Sequence, residues 1–241
     1  MHVKTKGIIL HQVKFSDSSN VVNVYTQQFG RLTFMVRGMN KKKSLSRAAL
    51  LQPLSIVEID FVYRHANNIQ YLKELRLIYP FNDIPFNPVK GSLAMFLVEI
   101  LYKVLRLSEQ DEYLYDFLEK SVLNLDNCNG GLANFHLFFL LQLSGYLGFS
   151  PNMEQMEQCN YFDLQNGIFV TSEPAHNQFL KRESTLDFKN LLNINLTDLD
   201  ILTLTKLRRA SLLDALIRYY ELHLPDFKTI KSIEVLHDLW N

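Results

Sequence analysis

Apolar residues recur at every second position in two stretches near the N-terminus. Leu32, Phe34 and Val36 interleave with Arg31, Thr33, Met35 and Arg37, and Val57, Ile59, Phe61 and Tyr63 interleave with Glu58 and Asp60. A period of two puts apolar groups on one face of a pleated strand. Gly7 to Phe15, Val21 to Gln28 and Ile69 to Leu77 are further strand candidates, rich in the β-branched and aromatic residues that such a surface accommodates. Gly30 and His65-Ala66-Asn67-Asn68 mark turns between them. Five strands in the first 80 residues predict a small β-barrel, because closure removes exposed edges. An oligonucleotide-binding (OB) barrel has that strand count and size.

The pattern changes between Pro80 and Pro88, where three prolines with Asn82, Asp83 and Asn87 read as a linker ending in a helix start. Asn87 is placed as the N-cap and Pro88 at the first helical position. Leu93, Phe96, Leu97, Ile100, Leu101, Val104 and Leu105 then recur at spacings of three and four, the stripe of an amphipathic helix. Leu114, Phe117, Leu118 and Val122 predict a second helix. Phe135 to Leu147 is apolar on nearly every side, which predicts a helix at the centre of a bundle. Pro151 to Pro174 interrupts the pattern, and Asn166-Gly167 between Tyr161-Phe162-Asp163 and Ile168-Phe169-Val170 is a strong hairpin signal. Leu207, Ala210, Leu213, Leu216, Ile217 and Tyr220 predict a further helix that Pro225 ends, and a short last one runs from about Ile230 to Trp240. The fold class expected is α+β multidomain: an OB-fold β-barrel over 1–80, then an α-helical bundle domain over 81–241 with a small β-hairpin insert at about 152–174.

A chain of 241 residues with 47% hydrophobic and 21% charged residues can bury a real core, which excludes a disordered or disulfide-dependent chain. Two cysteines, no secretory leader and no run near the roughly 18 apolar residues of a membrane span predict a soluble cytoplasmic protein with no membrane association. The formal net charge of zero conceals a division. Residues 1–80 hold twelve Lys and Arg against Asp17, Glu58, Asp60 and Glu74, an excess of +8; the totals of 25 and 25 leave −8 for residues 81–241. From Ser18 to Val57 there is no acid, while Arg31, Arg37, Lys41, Lys42, Lys43 and Arg47 all fall there. A field of one sign over that length attracts phosphate.

Side-chain catalysis does not announce itself. The chain lacks the glycine-rich nucleotide fingerprints, His-Glu-x-x-His and Cys-x-x-Cys, and its seven histidines are scattered, so neither a metal nor another cofactor is expected, nor an enzyme. Ser16-Asp17-Ser18 reads as a turn, with no base nearby in sequence. The barrel half, by contrast, supplies what phosphate backbones and single strands require: cations, and aromatic rings for stacking, with Phe15, Tyr25 and Tyr63 as candidates. Arg31 and Arg37 bracket one strand on its outward side, and the lysine triplet follows Gly38 in a loop. A second basic cluster, Lys206, Arg208, Arg209 and Arg218, lies in the acidic half. It either extends the anion path, receives a partner's carboxylate, or balances Asp200, Asp214 and Glu221.

Gly7-Ile8-Ile9-Leu10, Asp17-Ser18, Gly30-Arg31-Leu32, Val36-Arg37-Gly38 and Leu51-Gln52-Pro53-Leu54, in that order, resemble the bacterial DNA repair family RecO, the recombination mediator protein O. Gly145-Tyr146-Leu147-Gly148-Phe149 looks like that family's central helix ending, and Leu222 to Ser232, with Lys231-Ser232, like its C-terminal signature. The resemblance implies an OB domain joined to a helical domain and no bond-making activity. It implies binding of single- and double-stranded DNA, annealing of complementary strands, and help in loading the RecA recombinase onto strands coated by single-stranded DNA-binding protein. It further implies partnership with RecR and with the C-terminal tail of the single-stranded DNA-binding protein, and hence a nucleoid-associated location. Carried over by position, Arg31, Arg37, Lys41, Lys42, Lys43 and Arg47 would contact DNA. Two departures stand out. Where many relatives carry a four-cysteine zinc site this chain offers only Cys159, so the hairpin around Gly167 is expected to fill that place by packing; and Asn134 precedes Phe135 where relatives often have a basic residue, beside the expected tail pocket. Read from the residues alone, a protein-interaction scaffold with a basic barrel face and an RNA-binding OB protein stay open as alternatives.

Overall fold

The computed structural model describes residues 1–17, 19–37, 50–106, 109–227 and 229–239. Lys41, Lys42, Lys43 and Arg47, named above as DNA contacts, lie outside the described residues, as do Ser18, Gly38 and Trp240.

Five strands, β1 (His2–Ser16), β2 (Ser19–Thr26), β3 (Gly30–Arg37), β4 (Ile56–Val62) and β5 (Gln70–Leu77), close into a barrel in the order β1-β2-β3-β5-β4. This is the expected OB-like barrel, strand for strand. β1 is long because it serves two partners: residues from His2 to Ile8 pair with β4, and residues from Gly7 to Ser16 pair with β2. Where the two ladders overlap, Gly7 has no side chain, and a Cβ there would stand 2.5 Å from Val24 Cγ1. The β1–β2 register shifts just after Ile9, whose N–H donates to the Ser55 carbonyl while its own carbonyl accepts from Leu54 N–H. The inward residues of the alternating stretches, including Val22, Val24, Phe34, Val36, Ile59 and Phe61, form one core. Closure rests on a parallel seam of two pairs, Phe34↔Gln70 and Met35↔Tyr71.

Compactness divides the chain into Met1–Asn127 and Cys128–Asn241. The first unit holds the barrel with α1 (Pro88–Val104) and α2 (Glu112–Asn127), so the change from strand to helix near residue 80 falls inside it. Asn87 caps α1 as expected, its side chain accepting from the Val89 and Lys90 N–H groups, with Pro88 in the first turn. The proline-rich stretch before it is strapped down rather than loose. The Asp126 carboxylate accepts from the backbone N–H groups of Asn82, Asp83 and Ile84 and from the Tyr79 hydroxyl, all within 3.0 Å. Lys90, only 2% exposed, donates to the Asp126 carbonyl and pairs with Asp83.

The second unit contains α3 (Leu132–Tyr146), α4 (Arg182–Asn193), α5 (Lys206–His223) and α6 (Ile233–Leu239), with a small sheet of β6 (Tyr161–Asp163), β7 (Ile168–Val170) and β8 (Phe179–Leu180) in the order β7-β6-β8. α3 is buried on most sides, as its apolar composition requires, and Tyr220 of α5 donates to its Leu140 carbonyl at 2.7 Å. β6 and β7 form the expected hairpin, turning at Gly167 with φ +67°. Phe162, Phe169, Phe188 and Tyr219 pack around it, with ring centroids 4.6–6.3 Å apart. α4 and β8 were not expected from the periodicity. Among the described residues no helix is long and apolar enough to cross a membrane.

Candidate nucleic-acid interface

β3 carries Arg31 and Arg37 six residues apart, about 20 Å along an extended strand. The expectation that both point outward from the barrel holds for the backbone parity, but their surroundings differ. The outward side at Arg31 is covered by α1. Its guanidinium donates to the Tyr102 carbonyl at 2.7 Å and to Asn23 Oδ1 at 3.3 Å, and lies 4.3 Å from the centroid of the Tyr102 ring. Tyr102 is in the last turn of α1, where carbonyls lack partners within the helix, so Arg31 caps that turn. Burial lowers the Arg31 pKa, Tyr102 opposes the shift, and Arg106 adds to it. Arg37 is exposed, and its guanidinium stands 5.3 Å from the centroid of the Tyr71 ring, across the parallel seam on β5.

The carboxylates of the strand surface stand beside basic side chains, one of them a histidine that is a cation only when protonated. Glu58 pairs with Lys4 at 2.8 Å, Glu74 with Arg76 at 2.9 Å, Asp17 with Lys14 at 3.1 Å and Asp60 with His2 at 2.7 Å. Lys6 pairs with Glu119 of α2 at 3.0 Å. Arg64 and Lys73 meet no carboxylate in an ion pair among the described residues, although Lys73 Nζ lies 3.2 Å from His2 Nε2. Two open grooves flank β5. One, of about 410 Å³, is bordered by Val36, Arg37, Leu50, Tyr71 and Lys73; the other, of about 380 Å³, by Val62, Arg64, Asn67, Gln70 and Tyr71. Sequence reasoning did not single out Tyr71, Arg64 or Lys73. The signal was there in the alternation of β5, which sends Leu72 into the core and leaves Tyr71 and Lys73 outside.

The three aromatic candidates separate cleanly. Tyr25 is wholly buried and stacks on Tyr115 of α2, with centroids 6.4 Å apart, so it offers no face to a base; burial, and then Asp111, push its hydroxyl up to about 12. Tyr63 packs on Phe29 and Phe61 at the barrel rim. Phe15 is 68% exposed, towards the far end of β1.

The second basic cluster makes most of its contacts within its own unit, with Lys206, Arg208 and Arg218 exposed and Arg209 half-buried. Arg208 makes a two-pronged ion pair with Asp187 of α4, its Nε donating at 2.8 Å. Arg209 donates to Asn134 Oδ1 at 3.1 Å and to the Leu204 carbonyl at 2.9 Å, and burial lowers its pKa. Arg218 pairs with Glu221, one of the acids expected to balance this cluster, and donates to Gln178. Lys206 is exposed and, with Arg209, borders a cavity of about 10 Å³ beside His136. Burial holds His136 down at about 3, helped by the neighbouring Arg209 and His237.

A closed five-stranded barrel of OB-like strand order, with a second unit of helices and a small sheet, defines a two-part protein of the OB-like class. The chain belongs to the RecO family of DNA repair and recombination proteins. The family model "Recombination protein O N terminal" matches residues 1–81, and "Recombination protein O C terminal" matches residues 85–232. The chain is 40% identical over 238 residues to the DNA repair protein RecO of Phocaeicola vulgatus and 36% identical over 239 residues to that of Bacteroides fragilis, covering 99% of each chain in both cases. It is 32% identical over 241 residues to the DNA repair protein RecO of Azobacteroides pseudotrichonymphae, over the full length of both. The resemblance first read from short motifs therefore extends along the whole sequence, and with it a role in DNA repair and recombination.

Proposed function

We propose that the barrel binds single- and double-stranded DNA through its cationic surface, anneals complementary strands, and helps load RecA onto strands coated by single-stranded DNA-binding protein. The observation that carries this reading is the division of charge: residues 1–80, which contain the OB-like barrel, carry an excess of +8, and Glu58, Glu74 and Asp17 of that stretch are held by Lys4, Arg76 and Lys14. Two polyanionic strands repel one another, and lysines and arginines beside them release counterions and screen that repulsion. Arg37, Lys41, Lys42, Lys43 and Arg47 are the phosphate contacts on this reading. Arg31 holds α1 against the strand that presents Arg37. The action is one of binding and positioning, with no bond made or broken by the protein.

RecR and the acidic C-terminal tail of the single-stranded DNA-binding protein are the protein partners on this reading. The tail is assigned to the neighbourhood of α3. Arg209 reaches Asn134 there, supplying from α5 a cation beside the position that lacks one in the sequence.

The test is single-strand affinity against salt. Each neutralised phosphate contributes a slope of about −0.7 in log–log form, and a flat line overturns the reading. Changing Lys41, Lys42 and Lys43 together to Glu lowers affinity for all sequences alike and slows annealing, because backbone contacts carry no base readout.

A further inference from the structure

The outward face of β5 carries an arrangement that the phosphate contacts above do not explain. Tyr71 is 52% exposed at the junction of the two open grooves, with Arg37 over its ring on one side and Arg64 and Lys73 beside it. The site is built rather than loose. Gln70, buried directly before Tyr71, donates through its side-chain amide to the carbonyls of Arg64 and Asn67, at 2.9 and 2.7 Å, and accepts from Arg64 N–H at 3.0 Å. Those three bonds pin the turn between β4 and β5, and so fix where Arg64 emerges relative to Tyr71. Across the seam, the pair Met35↔Tyr71 fixes the other side.

We propose that Tyr71 is a stacking platform for one unpaired base, with Arg64 and Lys73 engaging the phosphates on either side, so that this face of the barrel selects single strands over duplex. A flat π-surface ringed by cations matches a nucleotide, which joins a flat ring to an anion; Glu74, the carboxylate bordering the groove, is already held by Arg76. In a duplex both faces of a base are covered by its neighbours, so only a single strand can present a face to the ring. The proposal rests on the reading that the barrel binds nucleic acid and adds to it a basis for strand discrimination.

The experiment measures equilibrium binding of the full-length protein to a fluorescent thymidine oligonucleotide, to the same length of duplex, and to the oligonucleotide with abasic positions. Stacking on an aromatic ring is worth about 1–3 kcal/mol per base, so Tyr71→Ala weakens single-strand binding by about 5- to 150-fold. Duplex affinity and the salt slope stay as in the wild type, because no charge is removed. Tyr71→Phe binds within about threefold of wild type. Wild type loses affinity for the abasic strand, and Tyr71→Ala loses little more. Lys73→Ala instead makes the slope shallower by about 0.7. Should Tyr71→Ala melt early, the wild type with the abasic strand and the Phe variant carry the test unaided. Equal weakening of strand and duplex by Tyr71→Ala, an indifferent abasic strand, or a Phe variant as poor as Ala overturns the platform. A wild type that binds neither strand nor duplex overturns the underlying reading as well.

Discussion

Replacing Arg31 with Met separates a phosphate contact from a helix cap. The substitution keeps most of the aliphatic stem and removes the guanidinium that donates to the Tyr102 carbonyl and lies over its ring. A hydrogen bond from a charged donor is worth about 1.5–3 kcal/mol and a cation–π contact at a half-buried site about 0.5–2 kcal/mol. The two share one group and do not add in full, so a loss of about 2–4 kcal/mol is expected. A small domain has a total stability of about 5–15 kcal/mol, so the loss is large. Urea unfolding followed by far-UV circular dichroism reads it as a fall in midpoint of about 1–2 M at an unchanged slope near 2 kcal/mol/M. Arg31→Lys falls between, because an ammonium donates but does not lie flat on the ring. The DNA salt slope should be unaltered under conditions where the variant is folded. A midpoint shift under about 0.3 M, together with a slope shallower by about 0.7, would show that the guanidinium serves phosphate and refute the assignment to α1.

Gly7→Ala forces a methyl to within 2.5 Å of Val24 Cγ1 where the two ladders of β1 overlap, and should cost about 1–3 kcal/mol, read from thermal melts. Asp126→Asn removes the charge that organises the strap before α1 and should cost about 2–4 kcal/mol at pH 7. Burial pushes the Asp126 carboxyl up, but the hydrogen bonds from Asn82, Ile84, Asp83 and Tyr79 outweigh it and leave the pKa below the ordinary value. Its contribution is therefore complete above the unfolded pKa near 4 and is lost as pH falls through the folded value, so melting of the wild type and of Asp126→Asn should converge in acid. His136 has the same sense at a higher range. With a folded pKa of about 3, stability should fall from about pH 6.5 downward by up to about 1.4 kcal/mol per pH unit, and His136→Gln should flatten that slope in a series of urea titrations.

The barrel was legible because period-two alternation is a local property, and each inward residue of β3 and β4 finds the core its parity implies. α1 was legible for a similar reason, since Asn87 and Pro88 act on the chain immediately after them. What could not be read was which element covers an outward face. Arg31 has the same parity as Arg37, yet its partner, Tyr102, lies 71 residues away on a helix whose docking no local pattern encodes. Tyr25 was hidden in the same way by Tyr115. α4 escaped notice because its sequence is polar, with few apolar positions and no side-chain N-cap at Lys181. Without that helix, Asp187 was not available as a partner for Arg208. The prolines from 80 to 88 read only as a linker ending in a helix start, because the carboxylate that holds that stretch comes from Asp126, about forty residues later.

The two-pair seam between β3 and β5 also bears on how this protein behaves at high concentration. Each of the other junctions in the barrel is held by at least five residue pairs, so this one should be the first to part. Parting would free the flanks of two neighbouring strands at once, and each could template a strand from another molecule. Nucleic acid bridging Arg37 and Tyr71 would act as a clasp across that gap, so oligonucleotide should suppress self-association as well as report binding.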